Sequence, residues 1–135
     1  MDEFNRGYIE KYLNNIRAME TLARIEDDIA TLQFHQSLNE RSGEATIAAE
    51  VTAVKIGDCV LVTSPAEVLT EVGLNVKKAS PYEYTFIAAY ANGYIHYGAP
   101  ATDYPRQGYE VTECLLAPEW QEKFERTAAE TIRDL

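Results

Sequence analysis

A chain of 135 residues, 46% of them apolar, is long enough and apolar enough to bury a core of ordinary domain size. Its formal charge of −10 and pI of about 4.6 argue against nucleic-acid partners, which are held by Lys and Arg, and against docking on anionic membranes. No apolar run approaches the roughly 18–20 residues that span a bilayer.

The first residues, MDEFNRGYIEKY, lack the apolar core of a secretory signal, so a complete chain of this sequence is expected in the cytoplasm. Asp2 to Asn39 reads as helix. Ile9, Tyr12, Ile16, Met19 and Ala23 recur at helical spacing, and Leu22, Ile25, Ile29 and Leu32 continue the stripe. The helix is long, and Arg24–Asp28 is where a break would fall. Such a stripe covers a sheet face or pairs with a second copy of itself. His35, near its end, reads as a surface or capping residue.

Ser37 to Glu44 is a polar connection. Ala45 to Ile56 alternates in the manner of a half-buried strand. Gly57-Asp58 is a tight turn, and Cys59 to Thr63 returns as an unbroken apolar run, the mark of a strand buried on both faces. The two strands are expected to pair antiparallel. Ser64-Pro65 ends the second strand. Pro suits the first turn of a helix and Glu67 suits its dipole, so a helix is predicted from Pro65 to about Lys77-Lys78. Tyr84 to Tyr90 is a second strongly apolar strand, which predicts a parallel crossover. Ala91-Asn92-Gly93 ends it. Pro100 to Gly108 is loop, Tyr109 to Leu116 reads as a short edge strand, and a C-terminal helix from about Pro118 carries Trp120, Phe124, Ala128 and Ile132 on one face.

Two parallel strands place their C-terminal ends on one sheet edge, where α/β proteins build sites. One end carries Glu67; the other carries Asn92, Tyr94, His96 and Tyr97. Asp103, Tyr104, Arg106, Tyr109 and Glu110 follow in the loop beyond. Four of the nine tyrosines lie between Tyr94 and Tyr109. Carboxylate, phenol and imidazole together suit a metal or acid–base site. The plainer account is a first-turn acid and tyrosines that staple a loop. Two histidines, His35 and His96, are too few for a three-histidine metal site in one copy. Cys59 and Cys114 lie in apolar stretches and read as buried thiols.

IGDCVLVTSPAEVLTEVG followed by SPYEYTFIAAYANGYIHYGAPATDYPRQGYEV resembles the neutral/alkaline, non-lysosomal ceramidase family, and more closely its bacterial relatives of unassigned substrate. The shared elements are Pro65, Glu67, Thr70 and Gly73, then Asn92, Tyr94 and Tyr97, then Gly108, Tyr109 and Glu110. The resemblance covers about residues 45–116 and the last third or so of the family's catalytic domain. It implies a zinc-dependent amidase acting on the N-acyl bond of ceramide. By similarity, Glu67 and Tyr94 match a glutamate and a tyrosine zinc ligand. Asn92, Tyr97 and Tyr109 match positions about the substrate. The family's histidine ligands and serine lie in an earlier segment that this sequence does not contain. His96 departs from the family motif, where a small residue is expected.

The expected architecture is a single α/β domain over residues 1–135, of mixed α+β type. One mixed sheet of about four to five strands is flanked by a long N-terminal helix, a crossover helix and a C-terminal helix. Two functions remain open: the C-terminal portion of a zinc amidohydrolase, inactive alone, and a non-catalytic oligomeric or partner-binding module derived from that fold. A homo-oligomer or a missing N-terminal half would supply the partner.

Overall fold

The computed structural model describes residues 3–44, 46–106 and 108–135. Two units are distinguished along the chain, one ending at Gly43 and the other beginning at Glu44.

The first unit is one helix, α1 (Glu3–Ser42). No proline interrupts it, and it continues without a break through Arg24–Asp28, at a length of about 60 Å. Gly43 ends it: a φ of 68° places Gly43 in the left-handed region, and its N–H donates to the Asn39 carbonyl at 3.2 Å, the usual αL termination. None of its side chains is buried. The predicted start at Asp2 lies outside the described residues. No helix is long and apolar enough to cross a membrane among the described residues.

The second unit opens on a hairpin. β1 (Ala53–Ile56) and β2 (Cys59–Thr63) pair antiparallel, with Ile56 opposite Cys59. Gly57 supplies the positive φ, 62°, that two-residue hairpin turns favour. Ala45, the predicted start of the first strand, lies outside the described residues, and residues 46–52 carry no strand of their own. After β2 come β3 (Glu67–Val68), α2 (Thr70–Ala79) and β4 (Tyr84–Ala88). β4 pairs parallel with β2, Val60 opposite Thr85, which completes the predicted crossover. β5 (Tyr97–Gly98) pairs parallel with β3. A 3₁₀ turn (Tyr104–Arg106), α3 (Tyr109–Thr112) and α4 (Trp120–Arg133) close the unit.

The fold is mixed α+β, with the strands divided between a three-stranded sheet, β1-β2-β4, and a two-stranded ribbon, β3-β5. The core joins Val60 and Val62 of β2, Val72 and Val76 of α2, and Phe124, Ala128 and Ile132 of α4. Helices thus cover one face of β2. On the other, Cys59 and Leu61 are exposed, so β2 is half-buried, not buried on both faces. Across that open face Val54, Leu61 and Phe86 stand in register, as do Ile56, Cys59 and Tyr84. All of them are exposed.

Other expectations are corrected. Cys59 is exposed and Cys114 half-buried, so neither is a fully buried thiol. Tyr109 to Thr112 is one helical turn, not an edge strand, because the Thr112 and Glu113 N–H groups bond back to Gly108 and Tyr109. The helix after Pro65 starts five residues late, at Thr70, for a reason that belongs to the site.

α4 is seated by one close approach. The Trp120 indole N–H donates to the Ala99 carbonyl at 2.7 Å, and its ring lies against Gly98. A Cβ there would stand 2.5 Å from the ring. Gly98→Ala is therefore expected to destabilise the fold by about 1–3 kcal/mol, the cost of overpacking, read as a lower urea midpoint at unchanged m-value.

Candidate functional site

Ser64 to Leu69 does not turn into helix because its backbone groups are taken by residues 91–98. The Ala91 N–H donates to the Ser64 carbonyl at 3.0 Å, Ile95 to Pro65 at 3.1 Å, Glu67 to His96 at 2.9 Å, and Leu69 to Gly98 at 3.1 Å. The Ser64 hydroxyl also accepts the Ala66 N–H at 3.2 Å. These bonds satisfy donors and acceptors that a helix would otherwise have used. Glu67 therefore sits in a strand, opposite Tyr97, and not in the first turn of a helix.

The facing segment bends sharply to make this pairing. Tyr90, Asn92 and His96 have φ of 57°, 64° and 59°. Left-handed backbone at non-glycine residues costs on the order of 1–3 kcal/mol each and persists only where the surroundings impose it; for a bulky tyrosine it is a true outlier. The Asn92 amide helps to impose it by donating to the Thr63 hydroxyl at 3.2 Å, at the end of β2.

The bend gathers aromatic rings around Glu67. Tyr90 stacks on Tyr94 with ring centres 5.7 Å apart, and Tyr94 lies 5.1 Å from the His96 ring. Tyr97 meets Tyr109 edge to face at 5.8 Å. His96 Nδ1 stands 3.9 Å from a Glu113 carboxylate oxygen. Two phenols address the Glu67 carboxylate. The Tyr90 hydroxyl is pushed up to about 12, foremost by its hydrogen bond to Glu67, then by lost hydration and the carboxylate's charge. Tyr97 is raised by lost hydration first, then by the charge of Glu67 and a hydrogen bond to it. Both phenols keep their protons at neutral pH and face the Glu67 carboxylate. Tyr104, further round, hydrogen-bonds to the Leu116 carbonyl at 2.6 Å, and burial raises it most.

Of the residues singled out from the sequence, Glu67 and Tyr97 are brought together directly, and Tyr109 joins through Tyr97. Tyr94 stands in the same aromatic row, between Tyr90 and His96. Asn92 turns its amide to β2. Tyr90 was not singled out. It ends the apolar run YTFIAAY and reads as strand, but it stands four residues before Tyr94 and directly before Ala-Asn-Gly, a signal for a turn that re-aims it. As a metal donor, Glu67 is an oxygen ligand of a kind that zinc accepts, whereas a tyrosine binds only as phenolate, which the metal's own charge would have to favour. Among the described residues no group of three or more His, Cys, Asp or Glu side chains is placed to hold a metal.

Part of the fold has a counterpart among solved structures. It is similar to part of a neutral ceramidase. The crystal structure of neutral ceramidase from Pseudomonas aeruginosa matches with a TM-score of 0.53 and 24% identity, over 59% of this chain and 14% of that one. At that identity the likeness is one of fold. No protein-family model matches the sequence, and no curated protein matches it.

Glu67→Gln removes the charge that Tyr90 faces. The Tyr90 titration, followed by tyrosinate absorbance, is expected to fall from about 12 towards the ordinary 10.0. In the unaltered protein Tyr90 holds its proton more tightly folded than unfolded. Its contribution to stability is therefore whole below pH 10 and lost as pH rises to about 12. The variant should lose that dependence.

Proposed function

We propose that the chain is the C-terminal portion of a zinc-dependent amidohydrolase resembling neutral ceramidase, with Glu67 and Tyr94 as its share of the metal site. The observation that carries this reading is the Glu67 carboxylate, held by two protonated phenols at one sheet edge, on a fold shared with part of a neutral ceramidase. The open apolar sheet face supports it, since large apolar patches seldom stay bare. An N-terminal half of the domain would lie there, within one domain that takes in residues 1–135.

Glu67 is the anionic oxygen of the set, and the Tyr90 and Tyr97 hydroxyls fix its orientation. Tyr94 presents a second oxygen from the stacked row. Asn92, Tyr97 and Tyr109 stand about the substrate, an N-acyl lipid or a simpler amide, with phenols able to donate to its polar head and rings able to cover its apolar part. Zinc, when bound, polarises a carbonyl and lowers the pKa of water. Catalytic zinc sites normally draw three protein ligands. The donors here fit in kind and fall short in number, so the remaining ligands come from the other half.

The second reading is a non-catalytic, homo-oligomeric module. The exposed apolar stripe of α1 favours it.

The purified chain is expected not to hydrolyse ceramide or simple N-acyl amides, and to bind zinc weakly by calorimetry. Co-expression with a ceramidase-like N-terminal half should produce activity that Glu67→Gln abolishes. Turnover by the chain alone, lost on Glu67→Gln, would show that its site is already complete. Activity of the pair that survives Glu67→Gln would remove Glu67 from the site.

A further inference from the structure

A cavity of about 210 Å³ opens between α4 and the extended stretch before β1. Ile47, Ala49 and Val51 line one wall. Trp120 and Phe124, with ring centres 5.6 Å apart, line another. The alternation of Ile47, Ala49 and Val51 thus has a use without strand pairing, since residues 46–52 carry no strand. Ile47 is still 49% exposed, so the wall offers apolar surface for a ligand to cover. Glu67, Asn92, Tyr94, Tyr97 and Tyr109 do not line the cavity. It stands apart from the proposed metal site and owes nothing to the catalytic reading.

The polar side chains of the lining limit what fits. Ser64 is 1% exposed, and its hydroxyl already accepts the Ala66 N–H at 3.2 Å. Lys123 and Thr127 stand one turn apart on α4, and both are exposed. Among the described residues that line the cavity, Lys123 is the one charged group. The chain carries 22 acids, yet none of the described ones lines the cavity, and none forms an ion pair with Lys123. A lysine suits such a rim, because its stem covers apolar surface while its ammonium stays in water.

An organic cation would meet repulsion here and no carboxylate. A sugar or a nucleotide would find few polar groups. A wholly apolar ligand would use the walls and leave the ammonium idle. An apolar chain with one anionic end matches walls and rim together. One lysine offsets one charge, which suits a carboxylate; a phosphate ester, at about −2, calls for more donors.

We infer that this cavity binds an aliphatic carboxylate, with its chain between Trp120 and the 47–51 stretch and its carboxylate at Lys123. Small-ligand sites are commonly of this kind, mostly apolar with a few placed polar groups.

Trp120 is the chain's only tryptophan, so its fluorescence reads the cavity directly. The full chain is titrated with hexanoate, octanoate, 1-octanol and octylammonium. Octanoate is expected to shift the emission saturably and to bind more tightly than 1-octanol, with octylammonium weakest. Affinity should rise about fourfold for each carbon from hexanoate to octanoate, the value of one buried CH₂. Lys123→Gln, a change at an exposed position, should weaken octanoate about three- to fivefold, as for an exposed ion pair, and leave 1-octanol unchanged. Thr127→Phe, which fills the cavity, should abolish the binding of both at a urea midpoint near that of the unaltered protein. Octylammonium or 1-octanol binding as tightly as octanoate overturns the inference. So does an emission that never saturates, or a Lys123→Gln protein that binds octanoate unchanged.

Discussion

The structure of the site depends on one set of backbone hydrogen bonds, those between residues 64–69 and 91–98. They keep Pro65 to Val68 out of helix, with Glu67 and Val68 extended, against a strong local preference for helix. They also bring residues 64–69 against the stretch that follows β4, so that one carboxylate and three tyrosines, Tyr90, Tyr94 and Tyr97, meet. Each bond is worth about 1 kcal/mol net, too little alone to offset three left-handed residues. Acting together, and with the Asn92 amide tied to Thr63, they fix the bend, since leaving such groups buried and unpaired costs more than making them.

This explains why a polar site can sit beside a small core. Val60 and Val62 pack under α2 and α4, while the chain beyond β2 runs out through Ser64 to Glu67 in β3. Trp120 locks the ribbon from the other side through Gly98 and Ala99. The site's geometry is then set by elements that are themselves packed, which is what a positioned carboxylate requires.

Much of the fold was legible in the sequence because its signals are periodic or local. The hairpin follows from alternation and Gly57-Asp58, the crossover from two apolar runs around a helical stretch, and α4 from the spacing of Phe124, Ala128 and Ile132. The environment of Glu67 was not. Ser64-Pro65 and an acid two residues on are the ordinary start of a helix, and only pairing with residues far along the chain overrides them. Tyr109–Thr112 misled for a different reason: a single turn is too short for period to separate helix from strand. Cys59 misled because an apolar run says that a strand is buried, not on how many faces. The parallel crossover puts Glu67 on the same edge as residues 92–97, but its pairing with Tyr97 in a ribbon of its own was not legible. Nor was Tyr90, since a left-handed tyrosine leaves no mark in composition.

The position of α4 has a consequence for how the molecule forms. The hairpin β1–β2 is made early and α2 soon after it, but the rest of its cover, Phe124, Ala128 and Ile132, is made near the end of the described residues. Contacts so distant in sequence must wait for loop closure, which slows folding. During synthesis the hairpin leaves the ribosome with Val60 and Val62 covered by α2 at most, an aggregation-prone interval of the kind that chaperones shield. A ribosome stalled before Phe124 should therefore carry a nascent chain that is collapsed at most and readily cleaved by protease.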